Sequence, residues 1–174
     1  MTLLPEWVPR DVNVLADEIS KTVDYDDWTT TRDFFAYMDS LWGPHTVDRF
    51  ADSFNTKLSP FNSRFLVPGT ESVNALSISW EGETNWLVPP LHCIVQTIQH
   101  IIASRARGTL IVPFWPSSGF WPFLFHDAFS PHSFVKETLV FPCASGIFSL
   151  GNYKLQLVLV NLPVRFWLFE SLSD

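Results

Sequence analysis

Residues Thr84 to Pro113 constrain the fold more than any other stretch. Thr84-Asn85-Trp86-Leu87-Val88 is a short strand-forming run stopped by Pro89-Pro90. Ile94, Val95, Ile98, Ile101 and Ile102 then recur at helical spacing, with Arg105 and Arg107 at the basic end and Gly108 as a stop. Thr109-Leu110-Ile111-Val112 follows as an unbroken apolar run closed by Pro113, the pattern of a strand buried on both faces. A helix of this length between two strands predicts a parallel crossover, because a short turn cannot return a chain to parallel pairing. The fold class expected is α/β.

The flanks supply further elements. Pro9, Asp11 and Asn13 start a helix between Glu6 and Lys21, with Val14, Leu15 and Ile19 on one side. Asp24-Tyr25-Asp26-Asp27-Trp28 reads as an acidic linker. Thr29-Thr30-Thr31 offers an N-cap for a second helix carrying Phe34, Phe35, Met38 and Leu41 on one stripe and ended by Gly43-Pro44. Thr46–Phe50, Asn74–Trp80 and Phe134–Phe141 are further expected strands, and Phe120–Phe129 an expected helix.

Composition narrows the function classes. With 47% hydrophobic and 17% charged residues, the 174-residue chain suits one folded domain plus short extensions. Its net charge of −7 and scattered basic residues count against an autonomous DNA-binding module and leave any nucleic-acid contact to be local or supplied by neighbouring domains. Cys93 and Cys143 fall in no CxxC or Cys/His cluster, as expected of free thiols in a reducing compartment. Met1-Thr2-Leu3-Leu4 runs straight into Pro5 and Glu6, and no apolar stretch is long enough to span a bilayer. An intracellular protein, cytoplasmic or nuclear and without a membrane partner, is expected.

Three segments in order carry a resemblance. They are Trp7-Val8-Pro9-Arg10-Asp11-Val12-Asn13-Val14-Leu15-Ala16-Asp17, then Trp42-Gly43-Pro44-His45-Thr46-Val47-Asp48-Arg49-Phe50-Ala51, then Glu83 to Pro90 with Gly108 to Pro113 and Trp115-Pro116-Ser117. Together they resemble the pol polyprotein of DIRS-like retrotransposons, the tyrosine-recombinase class, over most of the chain up to about Gly151. The resemblance implies a polyprotein fragment whose residues 1–23 end an RNase H segment, 24–31 form a linker and 32–154 a Dam-like adenine-N6 methyltransferase domain. Its implied fold is a three-layer, methyltransferase-like (Rossmann-like) mixed sheet with flanking helices.

Asp17 matches the last metal-ligating carboxylate of RNase H. A two-metal hydrolase needs several converging carboxylates, so Asp17 alone is expected to be a relic, with divalent metal bound only in a complete RNase H. The methyltransferase family ends a strand in Asp/Asn-Pro-Pro-aromatic, whose side chain and backbone carbonyl accept from the target amino group while the ring stacks on the flipped base. Here the matching residues are Val88-Pro89-Pro90-Leu91, without a polar side chain or an aromatic face. Asn85, Trp86, Pro89 and Pro90 are the implied nucleic-acid positions, Asp48 the implied S-adenosylmethionine position, and Asn74 stands where related elements tend to have Asp. The expected function is a non-catalytic accessory domain binding no cofactor. Its implied partners are the rest of the polyprotein and, through neighbouring domains, nucleic acid. The alternative is an S-adenosylmethionine-dependent adenine methyltransferase with a diverged motif.

Related elements tend to close this region with a Ser-Pro-Val-Leu-Ala-Val-Arg-like run, whereas this chain has Val164-Arg165-Phe166-Trp167-Leu168-Phe169-Glu170-Ser171. Codons exist with which a frame read two nucleotides later encodes such a run, so residues 155–174 are expected to be a poorly specified, out-of-frame tail.

The remaining clusters carry little. His126 and His132, near Asp127, lack helical ligand spacing, and Asp24, Asp26 and Asp27 lack the calcium-loop pattern. There is no glycine-rich phosphate loop and no GxSxG elbow. Phe114-Trp115-Pro116 and Phe120-Trp121-Pro122 read either as a base-stacking platform or as a rigid aromatic cap over the sheet edge.

Overall fold

The computed structural model describes residues 28–142, 146–148 and 157–162. The expected helix at Glu6–Lys21, Asp17 within it, Cys143 and the Val164–Ser171 run lie outside the described residues.

Two helices form where the local signals place them. Helix α1 spans Arg32–Trp42; the Thr31 hydroxyl accepts from the Phe34 amide, and Gly43 closes the end by donating to the Asp39 carbonyl. Phe34 and Met38 are buried, whereas Leu41 turns outward and is 49% exposed. Helix α2, Ile94–Ser104, buries Ile94, Thr97, Ile98 and Ile101. It ends at Arg105, which takes the left-handed conformation (φ 49°) and donates its amide to Ile101 and Ile102. Gly108 is therefore not the helix stop that its position after the apolar stripe suggests.

Among the described residues there are seven short strands: β1 (Val47–Asp48), β2 (Asn62–Ser63), β3 (Ser72–Val73), β4 (Thr84–Leu87), β5 (Arg107–Pro113), β6 (Glu137–Phe141) and β7 (Leu157–Leu162). Five of them make a mixed sheet in the order β1-β4-β5-β7-β6, with β1, β4 and β5 parallel and β7 antiparallel to both neighbours. β2 and β3 pair in parallel, and the parallel bridge from Asp48 to Phe61 joins them to β1. Across the molecule the order is thus β3-β2-β1-β4-β5-β7-β6.

Side chains alternate along the central strands, so the sheet is covered on both faces. Leu110 and Val112 of β5, with Val158, Val160 and Leu162 of β7, pack with Ile94, Ile98 and Ile101 of α2. Ile111, Leu157 and Leu159 pack on the opposite side with Phe34 and Met38 of α1, Trp28 and Trp86. The α/β expectation holds in this form: a mixed sheet with one helix packed in each of its two cores.

Gly108 belongs to β5. A Cβ there would lie 2.0 Å from the Asn85 carbonyl oxygen, and its φ of +151° is costly for any other residue. It allows β4 and β5 to approach; that non-local contact explains its place.

Several expected elements are shorter or different. Asn74–Trp80 is not a strand. Asn74 is left-handed (φ 60°) and caps a single 3-10 turn at Ala75–Ser77, whose Ala75 carbonyl accepts from the Trp80 indole at 2.8 Å. Phe120–Phe129 forms only a 3-10 turn, Trp121–Phe123, because Asp127 draws the Phe129 and Ser130 amides into its own turn. Thr46–Phe50 reduces to β1, and Phe134–Phe141 to β6.

The described residues also run across two of the expected boundaries. Trp28 and Thr30 are buried, and the Thr31 amide donates to the Ile147 carbonyl, so residues 28–31 pack against the sheet's α1 side. The boundary at 154 cuts off β7, a six-residue strand buried throughout and paired on both edges. Those pairs tie residues 157–162 into the domain.

Candidate ligand cleft

The carboxyl ends of β1 to β4 open on one cleft of about 580 Å³. Arg49 to Asp52 enter it after β1, Ser63 to Phe65 after β2, Asn74 to Leu76 after β3, and Pro90, His92 and Cys93 after β4. In open parallel sheets this is where ligands bind, beside the point at which the strand order reverses.

A buried polar frame supports its floor. Arg49 is only 3% exposed. Its Nε donates to Asn85 Oδ1 and its Nη1 to Asn62 Oδ1, each at 2.7 Å, and the guanidinium lies 5.7 Å from the Trp80 ring centroid. Burial pulls the guanidinium below its ordinary pKa, while Glu71 and Glu83 oppose that shift from a distance. Among the described residues no carboxylate comes within ion-pair range of Arg49. A cation is thus held by two neutral amides.

Asn85 is fully committed to this frame. Its Nδ2 donates to the carbonyls of Arg107 (2.8 Å), Glu83 (3.2 Å) and Trp80 (3.3 Å). The side chain locks β1, β4 and β5 together and is fully buried. Trp86 is buried on the other face, edge-on to Phe35 at 5.0 Å and His45 at 5.1 Å, so its ring offers no stacking face. The Pro89 carbonyl accepts the Trp28 indole N–H at 2.8 Å. Of the four implied nucleic-acid positions, Pro90 alone borders the cleft.

Asp48 lies outside the cleft lining. Its carboxylate accepts from the Lys57 amide at 3.0 Å, and burial raises its pKa from 3.8 to about 6, against the Lys57 and Phe50 amide bonds and the Lys57 charge. The Lys57 ammonium donates to Thr29 Oγ1 and the Asn55 carbonyl, and burial lowers its pKa as well. Buried His45 bridges α1 to β5, with Nδ1 2.7 Å from Asp39 Oδ1 and Nε2 2.7 Å from Thr109 Oγ1. Burial depresses its pKa more than Asp39 raises it.

The other clusters are structural. The His126 and His132 rings lie 3.9 Å apart, but His132 Nε2 is bonded to the Pro122 carbonyl, and among the described residues no three His, Cys, Asp or Glu gather as metal ligands. Buried Trp121 stacks on Phe125 and donates to the Asp127 carbonyl, while Phe114 packs edge-on against it. Phe120, Trp121 and Phe125 thus pack in the α2-side core, whereas Trp115 is exposed. The Cys93 thiol borders the cleft with its pKa pushed up by burial, against the Arg64 charge, which keeps it protonated. No helix among the described residues is long and apolar enough to cross a membrane.

The sequence reading missed Arg49, Arg64, Phe65 and His92 as cleft residues. One signal was present: Asp48-Arg49 places two charges inside a candidate central strand, where burial demands partners. No family model and no curated protein matches the chain.

Proposed function

We propose that the chain is a methyltransferase-like accessory domain of a retroelement polyprotein, without catalytic activity of its own. The strand order supports the fold part of this reading. β3-β2-β1-β4-β5-β6 is the doubly wound nucleotide-binding order, made mixed by antiparallel β7 between β5 and β6. Val88-Pro89-Pro90-Leu91 leaves β4 at the cleft, where the family carries its amino-group acceptors.

The observation that carries the loss of catalysis is at those acceptors. Val88 is buried and has no polar side-chain atom, and the Pro89 carbonyl is bonded to Trp28 inside the α1-side core. Neither side chain nor backbone is available to accept from a target amino group. The cofactor fits poorly as well. β1 runs into Arg49-Phe50-Ala51-Asp52 without a glycine, Asp48 is absent from the cleft lining, and the cleft holds a fixed cation, Arg49, which opposes entry of a positively charged sulfonium.

Titration of the full chain with S-adenosylmethionine tests the reading. No saturable binding at millimolar ligand is expected. Saturable binding that Asp48→Ala abolishes would establish the diverged-methyltransferase alternative instead. The retroelement part is tested by the gene's flanks, where reverse-transcriptase coding sequence upstream and a recombinase downstream are expected. An RNA–DNA hybrid incubated with this chain alone is expected to stay intact, because a two-metal hydrolase needs several converging carboxylates and Asp17 is the one position that the resemblance matches to that set.

A further inference from the structure

We propose that the cleft binds the phosphate of a nucleotide, with Arg49 as the anchor for the anion and Phe65 as the surface for the base. Three features converge on an anion. Arg49 is a buried, immobilised guanidinium whose hydrogen-bonded partners are two neutral amides, Asn85 and Asn62. Glu71 and Glu83 act on it only from a distance, so a ligand that brings a negative charge into direct contact recovers part of the cost of burying this cation. Two of the five guanidinium N–H groups are used by those amides, leaving the fork geometry that matches phosphate oxygens.

Helix α2 adds a second favourable field. It starts beside the cleft, at Cys93, with no side-chain cap among the described residues, so the positive end of its dipole meets the same space. The carboxylate bordering the cleft, Asp52, directs Oδ1 to the Phe54 and Asn55 amides and serves its own turn.

The apolar part selects the class of anion. Phe65 borders the cleft while 67% exposed, and the Arg64 guanidinium lies 5.2 Å from its ring centroid. An exposed ring backed by a cation is a stacking surface for a base. A volume of about 580 Å³ suits a mononucleotide. The negative net charge disfavours a long polyanion.

Calorimetric titration of the full chain with inorganic phosphate, adenosine monophosphate, adenosine, S-adenosylmethionine and a short oligothymidylate tests the site. Phosphate and the nucleotide are expected to bind saturably at millimolar concentration or below, with adenosine weaker than the nucleotide by about tenfold or more. Arg49→Lys retains a charge but loses the fork, and is expected to weaken the nucleotide about tenfold. Phe65→Ala, at an exposed position, is expected to weaken the nucleotide and leave phosphate unchanged. Oligothymidylate binding that both substitutions weaken would place the phosphate in a nucleic-acid strand and uphold the same site. The proposal is overturned if neither phosphate nor any nucleotide binds at millimolar ligand, if adenosine binds as well as its monophosphate, or if S-adenosylmethionine binds more tightly. Unchanged nucleotide affinity in a folded Arg49→Lys chain also overturns it.

Discussion

Asp48→Asn is expected to stabilise the protein at neutral pH, and the gain should disappear in acid. Burial raises the Asp48 pKa from 3.8 to about 6, so the folded chain binds this proton more tightly than the unfolded chain. Its contribution to stability is full below about pH 4 and is lost as the pH rises through about 6. The interval corresponds to about 3 kcal/mol held against the ionised side chain at pH 7. Asparagine still offers an oxygen to the Lys57 amide but brings a donor group that needs its own partner, so the expected net gain is about 1–3 kcal/mol. Urea unfolding followed by tryptophan fluorescence at about pH 7.5, 5.5 and 4 measures it as a shift in midpoint. His45, whose pKa is depressed, makes both proteins lose stability as the pH falls, and that loss cancels in the difference. The reasoning is refuted if the variant is the less stable protein at pH 7, or if the gap stays constant down to pH 4.

Other substitutions probe the frame around the cleft. Trp28→Phe removes the donor to the Pro89 carbonyl and should cost about 1–3 kcal/mol in urea unfolding, without creating S-adenosylmethionine binding. Gly108→Ala drives a methyl group into the Asn85 backbone and should cost about 3 kcal/mol or more, seen as a lower thermal midpoint. A chain ended at residue 154 loses β7 and leaves the edges of β5 and β6 unpaired. It is expected to lack cooperative unfolding in calorimetry; a sharp transition like that of the full chain would return residues 157–162 to the status of a dispensable tail.

The sequence by itself determined the parts whose signals are local. A Thr cap, a 3.6-residue stripe and a glycine specify α1, and an isoleucine stripe between two β-rich runs specifies β4, α2 and β5. Those signals act within a few residues, so no tertiary information is needed to read them. Of the candidate site, Pro90 and Asn74 were singled out in the sequence, and Pro90 has a local reason, because a Pro-Pro stop marks a strand end wherever the strand sits.

The tertiary structure decided what depends on distant partners. Asn85 has the residue type of a base-reading amide, yet it is consumed by Arg49, 36 residues away, and by the Arg107 carbonyl, 22 residues away. Gly108 has the position of a helix stop, and only the closeness of β4 explains it. Residues 157–162 lie just before the run that signals a failing tail, yet they form a strand that pairs with β5 on one edge and β6 on the other. Pairing of this kind is specified by surfaces that meet only after the chain has folded, so the cleft and its buried arginine were beyond the reach of local pattern.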